Sequence, residues 1–214
     1  SFVCGDSTVS DYDGNEYETV QIGDQCWMAE NLRYLPRIVG PGTGSSTIPY
    51  YYVHGYDGTN VSEAKSTANY TIYGVLYNWP AAMAGENSSS SNPSGVQGVC
   101  PVGWHLPSDA EFTDLTDYLG GESVAGGKLK ETGIAHWNSP NTGATNETEF
   151  TALPGSVRLN SNAFYIIGMN GYLWTTTEHN TTHTYSRYML YNYSNVFRSN
   201  HYKEAGFSVR CLKN

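Results

Sequence analysis

Apolar and polar positions change their spacing several times along the chain, and each change marks an element. Alternation runs from Thr8 to Tyr12, breaks at Asp13-Gly14, and resumes from Tyr17 to Ile22. Period two on either side of Asp-Gly reads as a β-hairpin over residues 7–27. Residues 36–70 carry no helical period. Within them Pro41-Gly42-Thr43-Gly44-Ser45-Ser46 reads as surface loop, and Tyr50-Tyr51-Tyr52-Val53 as a short strand or an exposed aromatic ladder. Tyr73 to Met83 is compatible with a short helix whose first turn is limited by Pro80, and residues 85–98 read as a flexible loop.

The clearest helix starts at Ser108. Ser108-x-x-Glu111 is a capping box, Phe112, Leu115 and Leu119 recur on one face, and Gly120-Gly121 ends the run. A second short helix is expected over Ala125 to Glu131. Beyond Trp137 the pattern turns to strands at Phe150–Leu153, Phe164–Ile167, Tyr172–Thr176, Tyr185–Leu190 and Phe207–Leu212. No segment repeats. The expected organisation is an extended segment over residues 1–8 followed by one α+β domain over 9–214.

Composition narrows the partners. Only 14% of the residues are charged, against about 25% in an ordinary soluble domain. Eighteen Tyr and 23 Gly, with abundant Ser, Thr and Asn, stand in their place. Such surfaces bond water, sugars and other proteins without strong electrostatics, though extracellular bacterial proteins in general share this character. A net charge of −9 with eleven scattered basic residues leaves no cationic face for nucleic acid. No apolar run nears the roughly eighteen residues a membrane span needs. The chain begins at Ser1 without the basic and apolar regions of a leader, so an exported form would already have lost it.

Cys4, Cys26, Cys100 and Cys211 lie far apart, without the close pairs of a zinc site. An even number of isolated cysteines favours two disulfides in an oxidising compartment. Nearest-in-chain pairing joins Cys4 to Cys26 and leaves Cys100 for Cys211; other pairings, or four reduced thiols, stay open.

Candidate chemistry is thin. There is no Gly-x-Ser-x-Gly, and Pro154-Gly155-Ser156 sits at an expected strand end. Asp11-x-Asp13-Gly14-Asn15 is similar to the start of a calcium loop but lacks its closing Glu, so turn chemistry explains it better. His179 and His183 are four apart, yet their polar, β-branched surroundings suit a loop rather than a metal-binding helix. No cofactor is expected, with a structural calcium held by backbone carbonyls left open. The richest stretch runs from Tyr172 to Tyr193. Tyr172, Trp174, Glu178, His179, Arg187 and Tyr191 are the candidate ligand-binding residues there, with Tyr188 and Tyr193 beside them. Strand alternation lets only about half of them share a face, and Tyr172 and Trp174 read equally as core. Asp6-Ser7-Thr8 resembles a Bacteroidetes O-glycosylation acceptor, which makes Ser7 and Thr8 candidate modification sites.

Seven blocks in order resemble one family, the Fibrobacter succinogenes major paralogous domain. They are Ile22-Gly-Asp-Gln-Cys-Trp-Met-Ala-Glu-Asn-Leu32, Tyr73-Gly-Val-Leu-Tyr-Asn-Trp79, Cys100-Pro-Val-Gly-Trp-His-Leu-Pro-Ser-Asp-Ala-Glu111, Gly126-Gly-Lys-Leu-Lys-Glu131, Phe150-Thr-Ala-Leu-Pro-Gly155, Gly171-Tyr-Leu-Trp-Thr-Thr-Thr-Glu178 and Gly206-Phe-Ser-Val-Arg-Cys211. Phe112 and Ser156-Val157 depart mildly from the pattern. The resemblance implies a secreted or surface-attached protein with no established enzymatic activity. The central and last blocks also look like landmarks of C-type-lectin-like and sulfatase-modifying-factor folds, which implies small twisted sheets, two or three helices and long loops. An oxidase of the second kind uses paired late cysteines, and Cys211 is alone there. The expected function is therefore a structural or adhesive surface building block, self-associating or binding surface proteins, with a filament subunit as one form. A glycan-binding module is the alternative, and a sulfatase-modifying-factor-like enzyme the remote one.

Overall fold

The computed structural model describes all residues from 1 to 214. Its opening region forms two successive hairpins rather than one. β1 (Val9–Ser10) pairs with β2 (Glu16–Tyr17) around a turn organised by Asp11. The Asp11 carboxylate accepts the amides of Asp13 and Asn15 and the Tyr17 hydroxyl at 2.6 Å. Those bonds occupy the oxygens a calcium loop would have offered. β3 (Thr19–Ile22) then pairs with β4 (Gln25–Met28) across Gly23, whose φ of 59° suits glycine.

β5 (Tyr51–Tyr52) follows, and two short helices stand where no helical period is visible. α1 (Val61–Lys65) is capped by Asn60, whose Oδ1 accepts the amides of Ser62 and Glu63, and α2 (Ala68–Tyr73) by Thr67. Cap chemistry, not an apolar stripe, starts both. The helix expected over Tyr73–Met83 divides. Leu76 and Tyr77 form β6 (Leu76–Tyr77) against β5, and only α3 (Trp79–Met83) is helical, with Asn78 as cap and Pro80 in the first turn.

The loop at 85–98 is pinned: the Ser89 amide donates to Thr176, and Ser94 binds Glu111 and Leu106. After β7 (Trp104–His105), α4 (Asp109–Tyr118) opens with both bonds of the capping box, and Phe112 packs on Trp27 at 5.0 Å. α5 (Glu122–Leu129) begins three residues earlier than expected and ends two earlier. Its Gly126 and Gly127 lie directly on the backbone of Asn195 and Gly143, where any Cβ would collide with a carbonyl.

β8 (Asn170–Glu178), β9 (His183–Leu190) and β10 (Phe197–Tyr202) form an antiparallel sheet with β9 in the middle. The sequence reading missed β10 because Phe197-Arg-Ser-Asn-His-Tyr202 is short of β-branched residues. β11 (Leu212–Lys213) closes a second sheet in the order β3-β4-β11-β7. The strands expected at Phe150–Leu153 and Phe164–Ile167 are irregular chain with single bridges at Ala152 and Phe164, and only the end of Phe207–Leu212 is strand. The result is a small α+β domain of several antiparallel sheets and five short helices.

One cluster of the core gathers Tyr17, Met28, Tyr77, Trp104, Trp174 and Phe207; another gathers Trp27, Phe112, Trp137, Phe150 and Met189. Disulfides join Cys4 to Cys26 and Cys100 to Cys211, the second wholly buried. Such bonds belong to an oxidising environment. The first eight residues are not the extended segment expected from sequence. The Ser7 amide returns to the Val3 carbonyl, Cys4 is bridged, and the Phe2 ring sits edge-on to Trp104 at 5.9 Å.

Irregular chain from 130 to 169 rests on buried cations. Lys130 Nζ donates to the carbonyls of Thr142, Leu190 and Tyr193, and burial pulls the ammonium down to about 8. Arg210 donates to Asn31 Oδ1 and to the carbonyls of Phe150 and Thr151, and burial draws it down to about 9. Arg158 holds the carbonyls of Pro41 and Glu204.

Two outcomes follow for denaturant unfolding. The Cys100–Cys211 bridge closes a separation of 111 residues and Cys4–Cys26 one of 22. Replacing both cysteines by alanine should therefore lower stability by about 4–5 kcal/mol at the first bridge and about 3 kcal/mol at the second. Lys130→Met, which leaves three carbonyls without their donor, should cost roughly 3 kcal/mol or more. Amide exchange should also accelerate first around residues 138–150.

Candidate functional site

The β8–β9–β10 sheet carries the candidate site. Its register sets Tyr172 opposite Tyr188 and Tyr188 opposite Phe197, so alternation places the three rings in one row on one face. The rings stack: Tyr172 on Tyr188 with centroids 4.8 Å apart, and Tyr188 on Phe197 at 5.1 Å. At the inner end Tyr172 also stacks on Phe207 at 4.7 Å, and Phe207 meets Trp174 at 4.1 Å. At the outer end Tyr193, 48% exposed, stands edge-on to Phe197.

His201 lies against this row. Its ring is edge-on to Tyr172, Tyr188 and Phe207, and its Nδ1 pairs with the Ser186 hydroxyl at 2.8 Å. Burial, with His183 adding a smaller push, takes the imidazole down to about 4. Burial likewise lifts the Tyr172 phenol to about 12. The strip is thus uncharged at neutral pH. Because Tyr172 and Tyr188 are stacked on both sides, they offer ring edges and hydroxyls rather than open faces. A pyranose needs an open face; a protein surface packs well on edges.

The sequence candidates do not converge. Tyr172 belongs to the strip. Trp174 is core, with its indole N–H donating to the Tyr77 carbonyl at 2.6 Å. Arg187 is buried on the opposite face, where Nε meets Asp109 at 2.8 Å and Nη1 meets Glu122 at 2.7 Å. Glu178 lies exposed and ion-paired with Lys203, and His179 is exposed beside the Tyr185 hydroxyl. His183 packs on Tyr202, in the β8–β9 hairpin rather than a helix. Tyr191 is half-buried against the second core cluster. Ser7 is half-buried with its hydroxyl accepting the Val3 amide, while Thr8 is exposed. No three His, Cys, Asp or Glu side chains come together. Phe197 and His201 were missed because β10 was; Tyr188 and Tyr193 lay inside the flagged stretch.

A second polar feature sits in an open cleft lined by Glu86, Gln97, His105 and Asn214. His105 Nε2 pairs with Glu111 Oε1 at 2.8 Å and Nδ1 with Asn214 Oδ1 at 2.7 Å. Burial opposes charge on the imidazole, but the bond and charge of Glu111 and the Asn214 bond outweigh it, so its pKa is raised. With both nitrogens engaged, the ring has none left to activate a hydroxyl, and all four cysteines are in disulfides.

Fold and site together define a disulfide-stapled α+β domain with an aromatic strip on an open sheet. Residues 20–213 match the Fibrobacter succinogenes major domain, and the chain belongs to that family. The match spans all seven sequence blocks. No curated protein and no solved structure matches the chain.

The His105–Glu111 pair fixes a pH response. A pKa raised by folding gives stability that is fully present below about pH 6.5 and is lost as pH rises through the folded value. His201 and Lys130, whose pKa values burial lowers, act in the opposite sense. The gap in urea midpoint between the native chain and His105→Gln should therefore narrow as pH rises above about 6.5, whatever the shape of either profile alone.

Proposed function

We propose that this chain is a non-catalytic interaction module of an exported bacterial protein, acting at the cell surface as a structural and adhesive building block. The observation that carries the reading is the stacked row Tyr172–Tyr188–Phe197. It leads from the core to an open sheet edge and presents ring edges suited to another protein surface. The sparse charge of the chain supports it, since an uncharged strip loses little solvation on contact. Two disulfides support export, and no helix is long and apolar enough to cross a membrane. The likeness of two sequence blocks to lectin-like domains accords with a binding role.

Glycan binding is the second reading, favoured by Tyr193, which stands exposed at the outer end of the strip, and by the polar cleft at Gln97, His105 and Asn214. Negative-stain electron microscopy and size-exclusion chromatography of the unreduced protein separate the two. The building-block reading expects filaments or ordered oligomers. A monomer of 23.5 kDa at every concentration, together with binding on a glycan array, would sink it in favour of the second.

A further inference from the structure

We infer that the free edge of β10 is a self-pairing surface, joining two copies of this chain about a two-fold axis at Asn200. The inference deepens the building-block reading and rests on it.

β10 is an outer strand, paired only with β9. In an antiparallel ladder, bonded and non-bonded pairs alternate. Lys203 donates its amide to the Thr182 carbonyl, which continues the register Tyr202 opposite His183. Residues 197, 199 and 201 therefore share bonds with β9, and Arg198, Asn200 and Tyr202 turn their amides and carbonyls away from it. Val196 agrees with this phase, because its outward amide is taken by the Glu122 carbonyl at 2.8 Å. Of the three outward residues that follow, Arg198 and Asn200 have no such partner, and Tyr202 keeps its amide free while its carbonyl accepts the Ala205 amide at 3.0 Å.

Proteins usually blunt a sheet edge with lysine, proline, a bulge or an inward charge. β10 is a regular six-residue strand without proline or lysine. Its one charge, Arg198, is drawn back onto Asp109 at 2.7 Å and over the Tyr185 ring at 3.9 Å. The edge is left open and locally neutralised.

The side chains select the occupant and the register. Centring a second copy on Asn200 sets Asn200 opposite Asn200 of the second copy, and Arg198 opposite its Tyr202. Arg198 is 42% exposed and Tyr202 46%, and alternation places both on the same face. A cation therefore meets a ring on both sides of the axis. Centring on Arg198 would oppose two like charges, which is unfavourable. Centring on Tyr202 would leave Arg198 outside the pairing. On the other face Ser199 meets His201 of the second copy, and the two aromatic strips become parts of one continuous surface. The symmetry is that of the commonest closed dimer.

Sedimentation velocity and mild oxidation of the native chain and two variants at Asn200, with Ser123→Cys as control, test this. Asn200 is exposed and makes no side-chain bond, so neither variant removes a contact within the fold. The native chain should show a reversible dimer. Asn200→Glu places like charges on the axis and should raise the dimer dissociation constant about tenfold or more. Asn200→Cys adds the only free thiol and should give a covalent dimer on mild oxidation, whereas Ser123→Cys on exposed α5 should not. Oligomers that persist unchanged in Asn200→Glu and fail to cross-link through position 200 would overturn the edge pairing and leave the building-block reading standing. A native chain that stays monomeric up to about 1 mM would overturn both.

Discussion

Between residues 130 and 170 the backbone has almost no helix or strand ladder, so its buried carbonyl oxygens need donors from elsewhere. Lys130 supplies one to Thr142, and Arg210 supplies two, to Phe150 and Thr151. Lys130 and Arg158 also tie the stretch to the carbonyls of Leu190, Tyr193, Pro41 and Glu204. All three cations are fully buried and none binds a carboxylate. A cation surrounded by carbonyl dipoles keeps its hydrogen bonds in the interior, which offsets part of its lost hydration. The arrangement also explains the strained backbone here. Thr151 holds a φ of 51°, unusual for a β-branched residue, while its carbonyl is gripped by Arg210 and its amide by Asn146. Cations thus do for the loop half what apolar packing does for the helices.

The sheet is held by ion pairs instead. The face that carries Arg187 is fixed by Arg187 and Arg198 converging on Asp109 in the first turn of α4, and by Glu122 at the start of α5. With charge gathered on that side, the other face is free to carry uncharged rings. The aromatic strip and its free edge depend on this division of labour between faces.

Much of this was legible in the residues. The capping box at Ser108 and Glu111, the stop at Gly120-Gly121 and both disulfide pairings were readable because each rests on local chemistry or chain order. The ordered blocks identified the family across almost the whole chain. The short helices α1 and α2 were hidden because Asn60 and Thr67 cap them without an apolar period to announce them. The ligand candidates fall on both faces of the sheet for a simple reason. A stretch rich in Tyr, Trp and Arg marks a sheet with two faces, and only register shows that Tyr172 and Arg187 lie on opposite ones. The carbonyl-binding cations left no trace, since a lysine without a carboxylate partner looks like any surface lysine.

The two disulfides also set the path of mechanical load. Tension entering before Cys4 and leaving after Cys211 crosses from Cys4 to Cys26 and from Cys100 to Cys211 through covalent bonds. Residues 5–25 and 101–210 lie outside that path, and they include α4, α5, the three-stranded sheet and most of the aromatic strip. Only residues 27–99 bear the pull in series. Under such a pull only the stretch holding α1, α2 and α3 can lengthen before a disulfide breaks, and the span from 101 to 210 stays closed by the Cys100–Cys211 bond.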